Sequence, residues 1–244
     1  MNRITILVGI FLLISTSAKA HTGGKVKLTC PLDNTTFEAW QDFSGTSFGA
    51  RLDLKKIGPI ASPWALAQCP KCGLPLYKDK KDFSADELKK LKQIVEGKRF
   101  KDESKGKTAY FALAIIQEEL KEEPMDIGYN YLQASWEVEE KNPKEYKEIT
   151  RRAIKWFDLA AKKAKGQNEE LDIYHFAQFL PIELERKNAN FDEAKRRLDS
   201  FDDVKEPNIE WLINALAYER LLISKKDSDN HLLGDWEELE DWKK

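Results

Sequence analysis

Cysteine is scarce in this sequence. Three occur in 244 residues, at Cys30, Cys69 and Cys72, beside only three histidines. An odd count cannot be fully paired in disulfides, so at least one thiol is free or bound to a metal. Glycine and proline are also few, 12 and 9, which excludes a collagen-like or linker-like chain. Charge of neither sign dominates. Forty Lys and Arg stand against 42 Asp and Glu, a net charge of −2, so there is no basic excess to drive nucleic-acid binding by phosphate neutralisation. Beyond residue 20 no segment is apolar enough to cross a membrane. No arrangement of residues reads as a catalytic set. What remains is 41% hydrophobic and 11% aromatic, which argues against wholesale disorder. It suffices for one large domain, or for a small one and a medium one.

The first twenty residues read as an address. Asn2 and Arg3 give a short cationic start, and Ile4 to Ile14 is an uncharged apolar run too short to span a bilayer as an ordinary helix. Ala18-Lys19-Ala20 fits the small-x-small cleavage rule, so residues 1–20 are expected to be a signal peptide removed before His21. Cleavage removes Arg3 and Lys19 and leaves 38 basic against 42 acidic residues. No cysteine lies nearby to carry a lipid. The expectation is a periplasmic or secreted protein with no membrane span after cleavage.

The remaining chain changes character near residue 80. Val26, Leu28 and Cys30 alternate with Lys25, Lys27 and Thr29, the period of a strand. Thr35 to Trp40 and the stretch around Leu52 and Leu54 also lean to strand. Trp64–Ala67 and Leu74–Tyr77 flank the last two cysteines as further strand candidates. After residue 82 the pattern is helical. Ser84-Ala85-Asp86-Glu87 is a capping box, and Asn142-Pro143 is an N-cap with proline at the first helical position. Seven helices are expected, with Pro181 kinking or breaking the fifth, and the tail with Trp236, Leu239 and Trp242 as a short eighth. Onsets near 84, 126, 168 and 207 are nearly evenly spaced, as in a stacked array of helical hairpins. The step is longer than that of a strict tetratricopeptide repeat (TPR), although Asn188 to Ala194 resembles the turn of that repeat. The expected fold is therefore α+β, mainly α. A zinc-ribbon-like β module over 21–80 precedes a TPR-like domain over 83–226 and an acidic, Trp-containing tail or capping helix over 227–244.

The cysteines carry the chemistry. Cys69-Pro70-Lys71-Cys72-Gly73 has the form of a zinc knuckle, in which two intervening residues let both thiolates face one ion and glycine closes the turn. A zinc ribbon takes two ligands from each of two hairpins, and the first here reads Cys30-Pro31-Leu32-Asp33. The candidate metal ligands are Cys30, Cys69, Cys72 and Asp33, with zinc in a structural role. For the fourth position His21, another residue or water compete with Asp33, which is also a good turn former in its own right. Two other readings stay open. Cys69 and Cys72 could be a thiol-redox pair, although Gly73-Leu74-Pro75 is poor helix sequence for that motif, or a plain disulfide could leave one thiol free. His21 as a new N-terminus could chelate copper only with a second histidine, and both others lie in the helical half. His175, in Tyr174-His175-Phe176, reads as a packed core residue, and the tryptophans as packing elements.

Cys30-Pro31, a spacer, Cys69-Pro70-Lys71-Cys72-Gly73 and then helical hairpins together resemble a bacterial family of unknown function. Its members join a zinc-ribbon-like cysteine module to TPR-like helices. Tyr131 to Trp136 with Arg152 to Phe157 resembles that family's first well-formed hairpin, and Pro181 to Ala194 resembles the next more loosely. The likeness covers most of residues 25–203. It implies an architecture and no defined activity. Asp33 stands where the family's usual fourth cysteine would be, and the leader sets this chain apart. The functional expectation is an exported, non-enzymatic protein whose helical array binds a protein or peptide. The alternatives are a thiol-redox or zinc-dependent envelope enzyme centred on the three cysteines, and metal buffering.

Overall fold

The computed structural model describes residues 21–78, 80–165, 171–201 and 210–235. Residues 1–20, read above as a signal peptide, and the tail residues Trp236, Leu239 and Trp242 lie outside them. The protein is mainly helical, with eight α-helices and a small antiparallel β region at the N-terminal end among the described residues.

The alternating stretch forms a hairpin. β1 (Thr22–Thr29) pairs with β2 (Thr36–Ser44), placing Val26 opposite Ala39 and Leu28 opposite Phe37. A second, minimal pair joins β3 (Gly49–Ala50) to β4 (Lys56–Ile57). The strands expected around the last two cysteines reduce to one bridge between Gln68 and Pro75 and a hydrogen bond from Leu76 N to Ala67 O. Pro70 and Pro75 each lack the amide proton a longer ladder would need.

The helices follow from their caps. α1 (Ala85–Glu96) opens on the Ser84–Glu87 capping box, with both reciprocal hydrogen bonds present. A short helix that the sequence reading had no place for, α2 (Lys98–Ser104), follows directly from Gly97 and buries Phe100. α3 (Ala109–Leu120) is buried from Phe111 to Gln117, which makes it the central helix. α4 (Pro124–Val138) carries its proline at the first turn, and α5 (Pro143–Ala164) starts from the Asn142 cap. α6 (Leu171–Lys187), α7 (Phe191–Asp199) and α8 (Glu210–Ser224) complete the set. α6 runs through Pro181 without a break. Ile182, Glu183, Leu184 and Arg186 are all essentially inaccessible to solvent, so tertiary packing on several sides holds a turn that lacks one hydrogen bond.

From α3 onward each helix packs on its neighbour in sequence. Gly128 shows how closely: a Cβ there would lie 2.8 Å from the Phe157 ring, so glycine lets α4 lie against α5. The first unit contains α1, α2 and α3, so the chain does not begin with a simple two-helix repeat. One buried cluster is continuous from Cys30, Leu52, Cys69 and Leu74 into Leu91, Val95, Phe100 and the α3–α5 core. The cysteine module and the helices therefore share a core. The C-terminal segment closes the arrangement. His231 O accepts from Leu52 N and Leu233 N donates to Ala50 O, so the tail adds an isolated antiparallel bridge, Leu232 to Arg51, at the end of β3.

Candidate metal centre

Two tight turns build the site, and their backbones match bond for bond. In the first, Cys30 N donates to Thr35 O at 2.9 Å and Asn34 N to Cys30 O at 3.0 Å. In the second, Cys69 N donates to Leu74 O and Gly73 N to Cys69 O, both at 2.9 Å. The residue closing each turn is left-handed, Asn34 at φ 57° and Gly73 at φ 76°. Asparagine and glycine are the residues that tolerate this conformation best. Each Cys-Pro pair thus starts a knuckle, and Asp33 occupies in the first the position that Cys72 occupies in the second. Asn34 as the counterpart of Gly73 escaped the sequence reading. Its signal was available in the aligned pentapeptides Cys-Pro-Leu-Asp-Asn and Cys-Pro-Lys-Cys-Gly.

The turns face each other. One ligand atom from each of Cys30, Asp33, Cys69 and Cys72 lies within 4.8 Å of the other three. The Sγ atoms of Cys30 and Cys72 are 3.6 Å apart. Tetrahedral coordination at a metal–sulfur distance of 2.3 Å needs sulfurs about 3.8 Å apart, so the spacing fits. Cys30 and Cys69 are fully buried and Cys72 is half-buried. Burial pushes the Cys30 and Cys72 thiols up, because a low-dielectric surrounding disfavours the thiolate. Asp33 is held differently. The Thr35 amide, donating to Oδ1 at 2.9 Å, keeps its carboxyl below the usual range. Its Oδ2 is buried and has no hydrogen-bond partner, with Lys71 Nζ at 3.9 Å. An acceptor left so is costly unless something else takes its lone pairs. Three sulfurs and one carboxylate in this geometry can hold a metal ion, and the bound cation would keep the thiols ionised despite their burial.

Helix α2 seats the second knuckle. A Cβ at Gly73 would lie 3.5 Å from the Phe100 ring, and Gln68 Nε2 donates to Gly73 O at 2.8 Å. The histidines lie elsewhere. His21 Nε2 is 3.0 Å from Asp42 Oδ1, where Trp40 Nε1 and Ala65 N also donate to the same carboxylate. His175 is buried and stacks on Phe201, and His231 is hydrogen bonded to the Tyr218 hydroxyl. None of the three belongs to the four-residue group.

Residues 27–217 match the family described as an uncharacterized protein conserved in bacteria (DUF2225). The chain belongs to that family. The matched region contains both knuckles and reaches into α8, so the four-residue group and the helical packing lie inside the family's region. No curated protein and no solved structure matches the chain.

Two buried ionic groups join the module and tail to the helices, and sequence reasoning found neither. Asp53 accepts from Arg51 Nε at 2.9 Å and from Lys187 Nζ at 2.8 Å, and Glu139 accepts from Lys187 Nζ at 2.6 Å. Arg186 donates to Glu183 and Glu219 and, through Nη1, to the carbonyls of Asp227 and Asp229 where the tail begins. Such charges read as solvated faces in a linear sequence, because the partners that bury them, Asp53 and Glu139 for Lys187 and Glu219 for Arg186, lie tens of residues away.

Proposed function

We propose that this family member is an exported, non-enzymatic protein in which a structural zinc ion pins a ribbon-like module to a TPR-like helical array that binds a protein or peptide. Zinc is the ion best suited to the donor set. Thiolates select soft or borderline ions, and four ligands with no position left over are the mark of a structural site. Cys30, Asp33, Cys69 and Cys72 are the proposed ligands. The observation that carries the reading is the pair of matched knuckles, which bring three thiols and a hydrogen-bond-deficient carboxylate to one point. Metal buffering fits less well, because buried ligands woven into a common core exchange an ion reluctantly.

Export rests on the leader-like first twenty residues. The interaction surface rests on the sequential stacking of α3 to α7, with Leu159 and Ile173 exposed on it. Native mass spectrometry of the protein recovered from an export-competent cell tests the core of this reading. The expected mass is that of the chain from His21 plus one zinc, with the zinc lost on denaturation. A metal-free chain would remove the structural ion, and a chain that begins at Met1 would remove cleavage of the leader.

A further inference from the structure

The four ligands are not equally sheltered. Cys30 and Cys69 are sealed from solvent, at 0% and 1% exposure. Cys72 and Asp33 instead line a cleft of ≈ 400 Å³ between the knuckles and α1 and α2. Lys71, Lys92 and Lys101 also line that cleft. A small molecule that enters it meets one sulfur, that of Cys72. Behind that sulfur, at 3.6 Å, lies Cys30 from the other knuckle.

We propose that Cys72 is a site of oxidation by small peroxides, resolved by Cys30 into a disulfide that ejects the metal. This deepens the metal reading and rests on it, because Cys72 and Cys30 are two of the four proposed ligands and the facing knuckles hold their sulfurs 3.6 Å apart. The Cys72 thiolate attacks one peroxide oxygen, the O–O bond breaks, and hydroxide leaves, so that Cys72 carries a sulfenic acid. The Cys30 thiolate then attacks Cys72 Sγ, the S–O bond breaks, and a second hydroxide leaves as the S–S bond forms. Two thiolates supply two electrons, and the peroxide is reduced to two hydroxides, which protonate to water. Closing 3.6 Å to a bond of about 2.05 Å asks each sulfur to move by roughly 0.8 Å, within the reach of side-chain rotation. Cys69 and Asp33 remain, and two ligands do not hold the ion.

The chain carries its own assay. Lys71 separates Cys69 from Cys72, so trypsin puts the three cysteines on three peptides, 28–51, 57–71 and 72–78. The zinc-loaded full chain is treated with hydrogen peroxide, alkylated and digested, and released zinc is read in parallel with a colorimetric chelator. The expected result is a cross-link between peptides 28–51 and 72–78, an alkylated Cys69, and one zinc released per cross-link. A cross-link between 57–71 and 72–78, an over-oxidised Cys72 with no cross-link, or three intact thiols would overturn the proposal. A protein that carries no zinc before treatment would refute the metal reading separately, and the peptide map would still decide between the thiol pairs.

Discussion

Lys187 Nζ lies 2.8 Å from Asp53 Oδ2, across 134 residues of sequence, and neither side chain is more than 3% exposed. This contact ties the end of α6 to the turn between β3 and β4. Arg51 and Glu139 complete the group, and Lys187 also lies over the Tyr146 ring. The module and the helices are therefore joined by buried charge as well as by shared apolar core.

Removing one member strands the others. Asp53→Ala should destabilise the protein by about 3–5 kcal/mol, since it leaves buried cations short of a partner. Urea denaturation measures it. Asp53→Ala with Lys187→Met should lose less than the sum of the two single changes. Burial by itself would raise the Asp53 carboxyl, but Lys187 and Arg51 outweigh it and hold the group at about 2. A carboxyl depressed in the folded state stabilises above its unfolded value near 3.9, and that contribution is lost as pH falls toward about 2. Stability measured down the acid range should show that loss in the wild type and not in Asp53→Ala.

The Arg186 group has the opposite sign. Burial first, and then the neighbouring Glu183, push the Glu219 carboxyl well above its ordinary range, with Arg186 offsetting only part. A carboxyl raised in the folded state favours folding below the ordinary glutamate range, and that contribution is lost as pH rises through its folded value. Glu219→Gln keeps the shape and removes the need for a proton. It should raise the urea midpoint at pH 7–8 and flatten its pH dependence. A lower midpoint at pH 8 would show that the second negative charge is needed there.

Chelation should loosen the knuckles first. The apolar core, the Lys187–Asp53 pair and the bridge from the tail still hold the module's other side. Limited trypsin digestion of the chelated protein should cut at Lys27, Lys71 and Lys78, while residues 109–164 resist. A digestion pattern unchanged by chelation would mean the turns stand without an ion.

These relationships were unequally visible in the sequence. Cys30, Asp33, Cys69 and Cys72 were legible because knuckle chemistry is local, fixed by two-residue spacings and a closing turn. The α1 and α5 starts were legible from Ser84, Glu87 and Asn142, which act over three residues. α2 was not, since Gly97 caps it without a side chain and its seven residues bury only Phe100. The bridge between Leu232 and Arg51 was invisible, because nothing in either segment names a partner about 180 residues away. A break at Pro181 did not form, its local penalty being offset by packing from other helices.

Asp33 is the weak point of the proposed metal set and the natural place to strengthen it. Asp33→Cys would make the first knuckle chemically equivalent to the second. It should hold zinc more tightly in competition with a chelator, because a fourth thiolate suits the ion better than one carboxylate oxygen. Asp33→Ala should lose zinc more readily than the wild type. Equal retention in all three would remove Asp33 from the ligand set.

Zinc-edge X-ray absorption of the purified, metal-loaded protein tests the central claim most directly. The account predicts a four-coordinate zinc with three sulfurs at about 2.3 Å and one oxygen at about 2.0–2.2 Å. A shell of oxygen and nitrogen without sulfur, or one with fewer than three sulfurs, would contradict it.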